Sequence, residues 1–155
     1  MRTFRFDKLV RDKIKPMMEA EGSIVDSYEL DDRQFTIEVA KKLEEELDEL
    51  DEGAGKDRNR DLEELADVAE IYDIAFGLLD QDEHYDLLET AMDEIEKGID
   101  MWEINPEELL KAKDAKIELM GGFTCRTFIR TVSVDENNKW LKRYLASPDK
   151  YPEVV

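Results

Sequence analysis

Along most of the chain, apolar side chains recur every three or four residues, which is the spacing of one face of a helix. This spacing predicts a first helix over about residues 7–20, disturbed at Pro16 and ended by Gly22. A brief extended segment is expected directly afterwards, near residues 24–30. The start of the chain is therefore interpreted as mainly helical.

The strongest helical periodicity lies in two consecutive segments. The first begins near Asp31 or Asp32 and carries a leucine-rich apolar stripe as far as Leu50. The second covers about residues 61–79, after a short polar loop at residues 51–60 that contains two glycines. Two long helices joined by such a loop are expected to form an antiparallel hairpin.

Further elements follow the hairpin. The helical pattern repeats over residues 82–97, and Asn105 and Pro106 have the residue types of a helix cap and first helical position. The run FTCRTFIRTV, residues 123–132, is rich in β-branched and aromatic residues and predicts a strand. Together these patterns predict an all-α fold, a helical bundle with only a minor short β element near residues 24–30 and 123–132.

Composition narrows the classes of function. The 155 residues carry a formal net charge of −19 at pH 7, which repels a phosphate backbone, so nucleic-acid binding is not expected. No apolar run approaches the roughly 18 residues of a membrane span, and the first residues lack the apolar stretch of a signal peptide. The single cysteine, Cys125, fits a reducing compartment, and we expect a cytoplasmic protein.

The position of each acid around its helix distinguishes carboxylates that face water from those that approach the apolar stripe. In the first long helix, Glu45 and Asp48 lie nearly opposite the leucines. Glu46 and Glu49 lie along the flank of the stripe, one turn apart, where both side chains are able to point at one object. Charged pairs usually face water, so this pair alone does not define a site.

The second long helix is more informative. Glu64 and Asp67 continue an apolar column that also contains Val68, Ile71 and Ile74. Carboxylates among residues that favour burial are costly unless a charge compensates them. The hairpin brings this pair opposite the acids of the first helix, with no basic partner assigned, so a divalent cation is the expected counter-ion. Ligands that are all oxygen favour Mg²⁺ or Mn²⁺ over zinc.

Three motifs resemble those of one known family. The acids of the hairpin form E-x-x-E and then E-x-x-D, which resembles the signature of the MazG-like all-α nucleoside triphosphate pyrophosphohydrolases, relatives of phosphoribosyl-ATP pyrophosphohydrolase and dimeric dUTPase. The opening FDKLVRDKI resembles the KLVRDKIP start of one small-protein branch, whose members are predicted house-cleaning enzymes. Residues 113–129, which include GGF, resemble the closing motif of that branch.

The chain departs from the family pattern at three places. Lys15 stands between VRDKI and the proline that follows this motif directly in the family. Residues 82–97 add a helix, and residues 133–155 extend past the usual end. The resemblance therefore implies a pyrophosphohydrolase domain over residues 1–132, with the remaining residues as a C-terminal extension.

The resemblance also implies an activity. It is the Mg²⁺-dependent hydrolysis of a nucleoside triphosphate to the monophosphate and pyrophosphate, with water attacking the α-phosphorus. The substrate would be a modified, non-standard nucleotide or a phosphoribosyl-ATP-like compound, and the protein would be a homo-oligomer, with a dimer expected. Glu45, or one of the metal ligands such as Glu46, would orient the water. The implied metal ligands are Glu46, Glu49, Glu64 and Asp67.

Basic residues in the outer motifs are candidates for binding the substrate's phosphates. Lys8 and Arg11 are an i,i+3 pair on the predicted first helix, with Lys15 continuing their column, and Arg126 follows GGF. An alternative that stays open is that these cations only offset nearby acids. A different class of function also stays open, namely a catalytically silent acidic module that binds a partner protein, or a nucleotide sensor.

Overall fold

A computed structural model describes residues 1–155, which form six helices and one four-stranded antiparallel sheet. The prediction of an all-α fold is therefore wrong, although helices are in the majority. None of the helices is both long enough and apolar enough to cross a membrane. In chain order the elements are β1 (Arg2–Leu9), α1 (Ile14–Ala20), β2 (Ile24–Glu29), α2 (Asp32–Glu52), α3 (Arg58–Leu78), α4 (Tyr85–Met101), α5 (Pro106–Met120), β3 (Thr127–Val134), α6 (Leu141–Ala146) and β4 (Glu153–Val154).

The chain divides into two compact units. The helical unit comprises Asp32–Glu118 and contains α2, α3, α4 and nearly all of α5. The sheet unit combines Met1–Asp31 with Leu119–Val155, so it is built from both ends of the chain. Each unit has its own buried apolar side chains.

The strands of the sheet unit are arranged in the order β2-β3-β1-β4. In the pairing of β1 with β3, Phe4 lies opposite Val132 and Leu9 opposite Phe128. The register shifts between Arg5 and Lys8, and Asp7 within this interval has a positive φ of 48°. This geometry is that of a β-bulge, which changes the face to which the following side chains point.

The core of the sheet unit is rich in aromatic rings. The Tyr144 ring lies 5.2 Å from that of Phe4 and 5.4 Å from that of Phe6, and Tyr151 lies 4.8 Å from Phe6. The C-terminal residues thus supply two of the core rings. The full set of buried core residues is Phe4, Phe6, Ile129, Val132, Val134, Leu141, Tyr144 and Tyr151.

The N-terminal region explains the error in fold class. A helix was expected from about residue 7 because Val10 and Ile14 fall at helical spacing, but the helix begins only at Ile14. Residues 2–9 instead form a strand, whose buried Phe4 and Phe6 alternate with polar neighbours. This strand is stabilised by pairing with β3, which is remote in sequence, and local periodicity does not report such a pairing.

The helical unit follows the sequence prediction closely. Helices α2 and α3 pack against each other, as expected for the predicted hairpin. The predicted apolar stripe of α2 is buried throughout: Phe35, Val39, Leu43, Leu47 and Leu50. The helix predicted over residues 82–97 is confirmed as α4. On α3, Phe76 continues the helical spacing of the buried Leu65, Ala69 and Tyr72, but it is 51% exposed.

Hydrogen bonds at the helix starts account for their positions. Asp57 accepts a bond from the Asn59 amide at 3.0 Å and caps α3. Asn105 accepts from the Glu107 amide at 2.8 Å, and the Glu108 carboxylate accepts from the Asn105 amide at 3.4 Å. This reciprocal pair is a capping box, so the predicted start of α5 is confirmed.

Candidate metal site

Three of the four predicted metal ligands meet between two helices. Glu46 and Glu49 lie one turn apart on α2, and Glu64 lies in the first half of α3. One carboxylate oxygen from each residue lies within 4.8 Å of the other two. The packing of the hairpin therefore concentrates three acids at one place.

Glu46 is the most deeply buried of these acids, with 8% of its surface exposed. Its Oε1 atom lies 3.5 Å from the Lys42 ammonium nitrogen, whereas its Oε2 atom is buried and has no hydrogen-bonding partner. Burial raises the pKa of Glu46 to about 7; Lys42 opposes this shift, and the charges of Asp67, Glu49 and Glu64 add to it. Lys42 therefore compensates the charge of this carboxylate only in part.

Glu64 presents a similar environment from the opposite helix. Its Oε2 atom is also buried without a hydrogen-bonding partner. Burial raises the pKa of Glu64, Glu49 and Asp67 raise it further, and Arg60 and Lys116 lower it. Two unpartnered buried carboxylate oxygens thus lie in one cluster, which is unusual because buried polar atoms are nearly always hydrogen-bonded.

Asp67, the fourth predicted ligand, is placed differently. It is half-buried and does not belong to the group of oxygens within 4.8 Å of one another. Its Oδ2 atom lies 3.7 Å from the ammonium nitrogen of Lys116 on α5. The expectation that these acids have no basic partner is therefore wrong, since Lys42 and Lys116 each contact one of them.

Polar contacts at the end of the hairpin hold the two acid-bearing helices together. The Arg60 guanidinium donates to the backbone carbonyl of Glu49, and it lies 3.4 Å from Asp61 Oδ1. Asp61 is 1% exposed and accepts a bond from the Gly55 amide at 2.9 Å. A Cβ atom at Gly53 would lie 2.5 Å from the guanidinium carbon of Arg60, so a larger residue there would displace the end of the Arg60 side chain.

The other acids near the cluster divide into exposed and buried groups. Glu45, predicted to face water and also proposed to orient a water molecule, is half-buried on α2. Glu63 is exposed, whereas Glu70, two turns further along α3, is only 7% exposed. Its buried neighbours Ala69 and Ile71 indicate how apolar that part of α3 is.

The residues of the cluster fit a divalent cation. Carboxylate oxygens are preferred ligands of Mg²⁺ and Mn²⁺. Two buried carboxylate oxygens, Glu46 Oε2 and Glu64 Oε2, accept no hydrogen bond from any protein group. A cation bound by these oxygens would replace the missing partners and neutralise the mutual repulsion of the acids.

The predicted substrate-binding cations lie in the sheet unit. Lys8 is opposite Ile129 in the β1–β3 pairing, so its predicted helical pairing with Arg11 is wrong. Arg11 donates to the Gly121 carbonyl at 3.0 Å, and its guanidinium carbon lies 5.1 Å from the centroid of the Phe123 ring. Arg126 is half-buried and has a positive φ of 52°.

The opening and closing motifs contact each other directly. The Asp12 carboxylate accepts bonds from the backbone amides of Thr124 at 3.1 Å and Cys125 at 2.9 Å. The Asp12 amide donates to the Gly122 carbonyl at 2.8 Å. Gly121 has a φ of +82°, and a Cβ atom there would lie 3.0 Å from Asp12 Cβ, so both conformation and space favour glycine. VRDKI and GGF are therefore parts of one structural feature.

The predicted acids and the predicted cations belong to different units of the molecule. The five acids Glu45, Glu46, Glu49, Glu64 and Asp67 are in the helical unit, and the three cations Lys8, Arg11 and Arg126 are in the sheet unit. No family model, curated protein or solved structure matches the chain. Function is therefore inferred from the chemistry of these residues.

Proposed function

We propose that the chain is a Mg²⁺-dependent nucleoside triphosphate pyrophosphohydrolase of the MazG-like type, with Mn²⁺ as an alternative metal. The observation that carries this proposal is the buried carboxylate of Glu46, which has one unpartnered oxygen and lies beside Glu49 and Glu64. A charge in such a position costs stability unless a cation compensates it. A protein that only displays an acidic surface has no reason to bury these groups.

The acids have defined roles in this proposal. Glu46, Glu49 and Glu64, with Asp67 at the edge, hold the cation. When bound, Mg²⁺ neutralises charge on the phosphate oxygens and lowers the pKa of a coordinated water molecule. The proton of the attacking water passes to a carboxylate, either Glu45 or Glu46. Without a cation, burial raises the pKa of Glu46 to about 7; a bound cation would lower this pKa and favour the ionised carboxylate that coordinates it.

The proposed reaction breaks one phosphoric anhydride bond. The water oxygen forms a bond to the α-phosphorus, and the bond from the α-phosphorus to the α,β-bridging oxygen breaks. That oxygen leaves with the pyrophosphate, and the remaining product is the nucleoside monophosphate. The substrate in this proposal is a modified nucleotide removed by house-cleaning in the cytoplasm, or a phosphoribosyl-ATP-like compound.

Lys8, Arg11 and Arg126 stay candidate contacts to the substrate's phosphates. The hydrogen bond from Arg11 to Gly121 and its position over the Phe123 ring favour a second role, in which Arg11 holds the closing motif. Substitution of Arg11 is therefore expected to affect folding of the sheet unit as well as any binding of a nucleotide.

Exposed apolar side chains of the helical unit support a homo-oligomer, with a dimer as the expected state. Phe76 on α3, Met101 on α4 and Leu110 on α5 are 51%, 61% and 55% exposed, respectively. The same side chains favour a second candidate function, a non-catalytic acidic module that binds a partner protein or senses a nucleotide. Exposed apolar side chains occur at the interfaces of homo-oligomers and at sites that bind other proteins, so these residues alone fit either function.

Turnover of nucleotides distinguishes the two candidate functions. Pyrophosphate release would be measured from standard, oxidised and deaminated nucleoside triphosphates and from phosphoribosyl-ATP, with and without Mg²⁺. We expect release from at least one compound only when Mg²⁺ is present. Glu46→Gln and Asp67→Asn should each reduce it by at least about 100-fold, the scale of losing a group that stabilises charge in the transition state.

Circular dichroism would verify that both variants remain folded. Full activity of both variants would contradict the assignment of the site. If no compound is hydrolysed and Mg²⁺ leaves the thermal stability of the protein unchanged, the non-catalytic module becomes the better interpretation.

A further inference from the structure

A lysine on the last helix of the helical unit reaches the acidic cluster. Lys116, on α5, has its ammonium nitrogen 3.7 Å from Asp67 Oδ2. The lysine side chain is 36% exposed and the aspartate side chain 16% exposed. The positive charge therefore lies at the margin of the site, where it is partly in contact with water and partly desolvated.

Lys116 contacts the one predicted ligand that lies outside the group of converging acids. Glu46, Glu49 and Glu64 converge within 4.8 Å, and Asp67 is the predicted ligand that does not belong to this group. A divalent cation that used Asp67 as a ligand would stand a few ångströms from the ammonium. Two positive charges at such a distance repel each other, so the ammonium and the cation compete for the same carboxylate.

Two nearby lysines differ from Lys116 in ways that matter for this competition. Lys42 contacts Glu46 within the same helix, and its side chain is only 19% exposed. Lys113 lies one turn before Lys116 on α5 and contacts Asp73 at 2.6 Å, a residue with a side chain that is 64% exposed and outside the acidic cluster. Lys113 is thus a matched lysine on the same helix without a predicted ligand as its partner.

We propose that Lys116 is a tethered counter-ion that occupies Asp67 in the metal-free protein and that a divalent cation must displace. Its flexible four-carbon stem allows the ammonium to move into water when the cation arrives. This inference rests on the proposed function, because it requires the acids to bind a cation. Because Lys116 competes with the cation for Asp67, it raises the cation concentration that is needed to fill the site.

Binding of Mn²⁺ to the full-length protein tests the inference without any substrate. The affinity would be measured by electron paramagnetic resonance and by calorimetry for the wild type and for four variants. Removal of the charge in Lys116→Gln should tighten binding of Mn²⁺ by about tenfold, the scale of one nearby charge at the edge of a protein. Lys116→Met, which keeps an apolar stem, should show the same increase.

The remaining variants are controls. Lys116→Arg keeps the positive charge and should bind Mn²⁺ like the wild type, and Lys113→Gln should also leave the affinity unchanged. A lysine that only supports the fold would weaken Mn²⁺ binding when replaced, which is the opposite sign. Unchanged or weaker binding by both Lys116→Gln and Lys116→Met would overturn the inference.

The same titration separates this inference from the proposed function. If the wild type binds Mn²⁺ and the Lys116 variants do not differ from it, the counter-ion role is wrong and the metal site stands. If neither the wild type nor any variant binds Mn²⁺, both the counter-ion role and the proposed metal-dependent activity are overturned.

Discussion

The sheet unit and the helical unit each bury a polar side chain that lacks a hydrogen-bonding partner. In the sheet unit it is Tyr144, which is 2% exposed and has an unpartnered hydroxyl. In the helical unit such atoms belong to Glu46, Glu64 and Trp102; of these residues, Glu46 is 8% exposed and its Oε2 atom has no partner. Burial raises the pKa of both groups, of Tyr144 to about 12 and of Glu46 to about 7.

The surroundings of the two groups differ. The Tyr144 ring packs against three other aromatic rings, and its hydroxyl stays neutral at physiological pH, so packing compensates for the lost hydrogen bond. Glu46 lies beside Glu49 and Glu64 and loses a proton near neutral pH, and the Lys42 ammonium beside it compensates only part of that charge. A buried unpartnered atom therefore indicates a ligand site only where several such groups converge.

Replacing Tyr144 tests the packing side of this comparison and should give the largest effect on stability. Tyr144→Ala removes a ring from the core of the sheet unit and should lower the free energy of unfolding by about 3–5 kcal/mol. Tyr144→Phe keeps the ring and removes only the unpartnered hydroxyl, so it should change stability by less than about 1 kcal/mol. Urea denaturation measures both values; a large loss in Tyr144→Phe would show that the hydroxyl has a partner.

The pH dependence of stability tests whether the buried Glu46 destabilises the folded protein when it is ionised. Below pH 4.5, the ordinary pKa of the group, Glu46 is protonated in the folded and the unfolded protein. Between pH 4.5 and about 7 the unfolded chain releases this proton and the folded protein retains it, so stability falls as the pH rises. Above about pH 7 both states are ionised and this contribution to the slope ends.

The wild type should therefore lose up to about 3 kcal/mol over this interval relative to Glu46→Gln, in the absence of divalent cations. The variant is the appropriate reference because the other titrating groups are common to both proteins. Parallel pH profiles of the two proteins would show that Glu46 ionises as an exposed acid does, and the contrast with Tyr144 would disappear.

Replacing Lys42 tests how much its ammonium stabilises the ionised form of Glu46. Lys42 contacts Glu46 and opposes the rise in its pKa. Lys42→Met should therefore lower the free energy of unfolding by about 1 kcal/mol at pH 8 and by less at pH 5, where Glu46 is already protonated. Thermal melts at the two pH values measure the difference, and equal losses at both would exclude an electrostatic origin.

Local patterns in the sequence predicted the helical unit and much of its site. Helical periodicity and capping residues predicted α2 and α5, and the angular positions of Glu46, Glu49 and Glu64 predicted their convergence. These features depend on residues close together in sequence, for which helix geometry is known in advance. The contact between Lys42 and Glu46 was also predictable, because Lys42 lies four residues before Glu46 on the same helix.

Contacts between distant residues were not accessible in the same way. Strand β1 has only Phe4 and Phe6 as an alternating pair, and its pairing with β3 joins the two ends of the chain. The contact of Lys116 with Asp67 likewise depends on how α5 packs, which no spacing in the sequence specifies. The fold class and the counter-ions of the site were therefore the parts that required the structure.

A titration with Mg²⁺ at pH 7.5, followed by thermal unfolding, tests most directly whether the acids of the hairpin form a metal site. The wild type should gain about 2–3 kcal/mol of stability when the Mg²⁺ concentration is about 100 times its dissociation constant. Glu46→Gln, which removes the buried charge, should gain little or nothing. No stabilisation of the wild type, or equal stabilisation of both proteins, would contradict the assignment of Glu46, Glu49 and Glu64 as metal ligands.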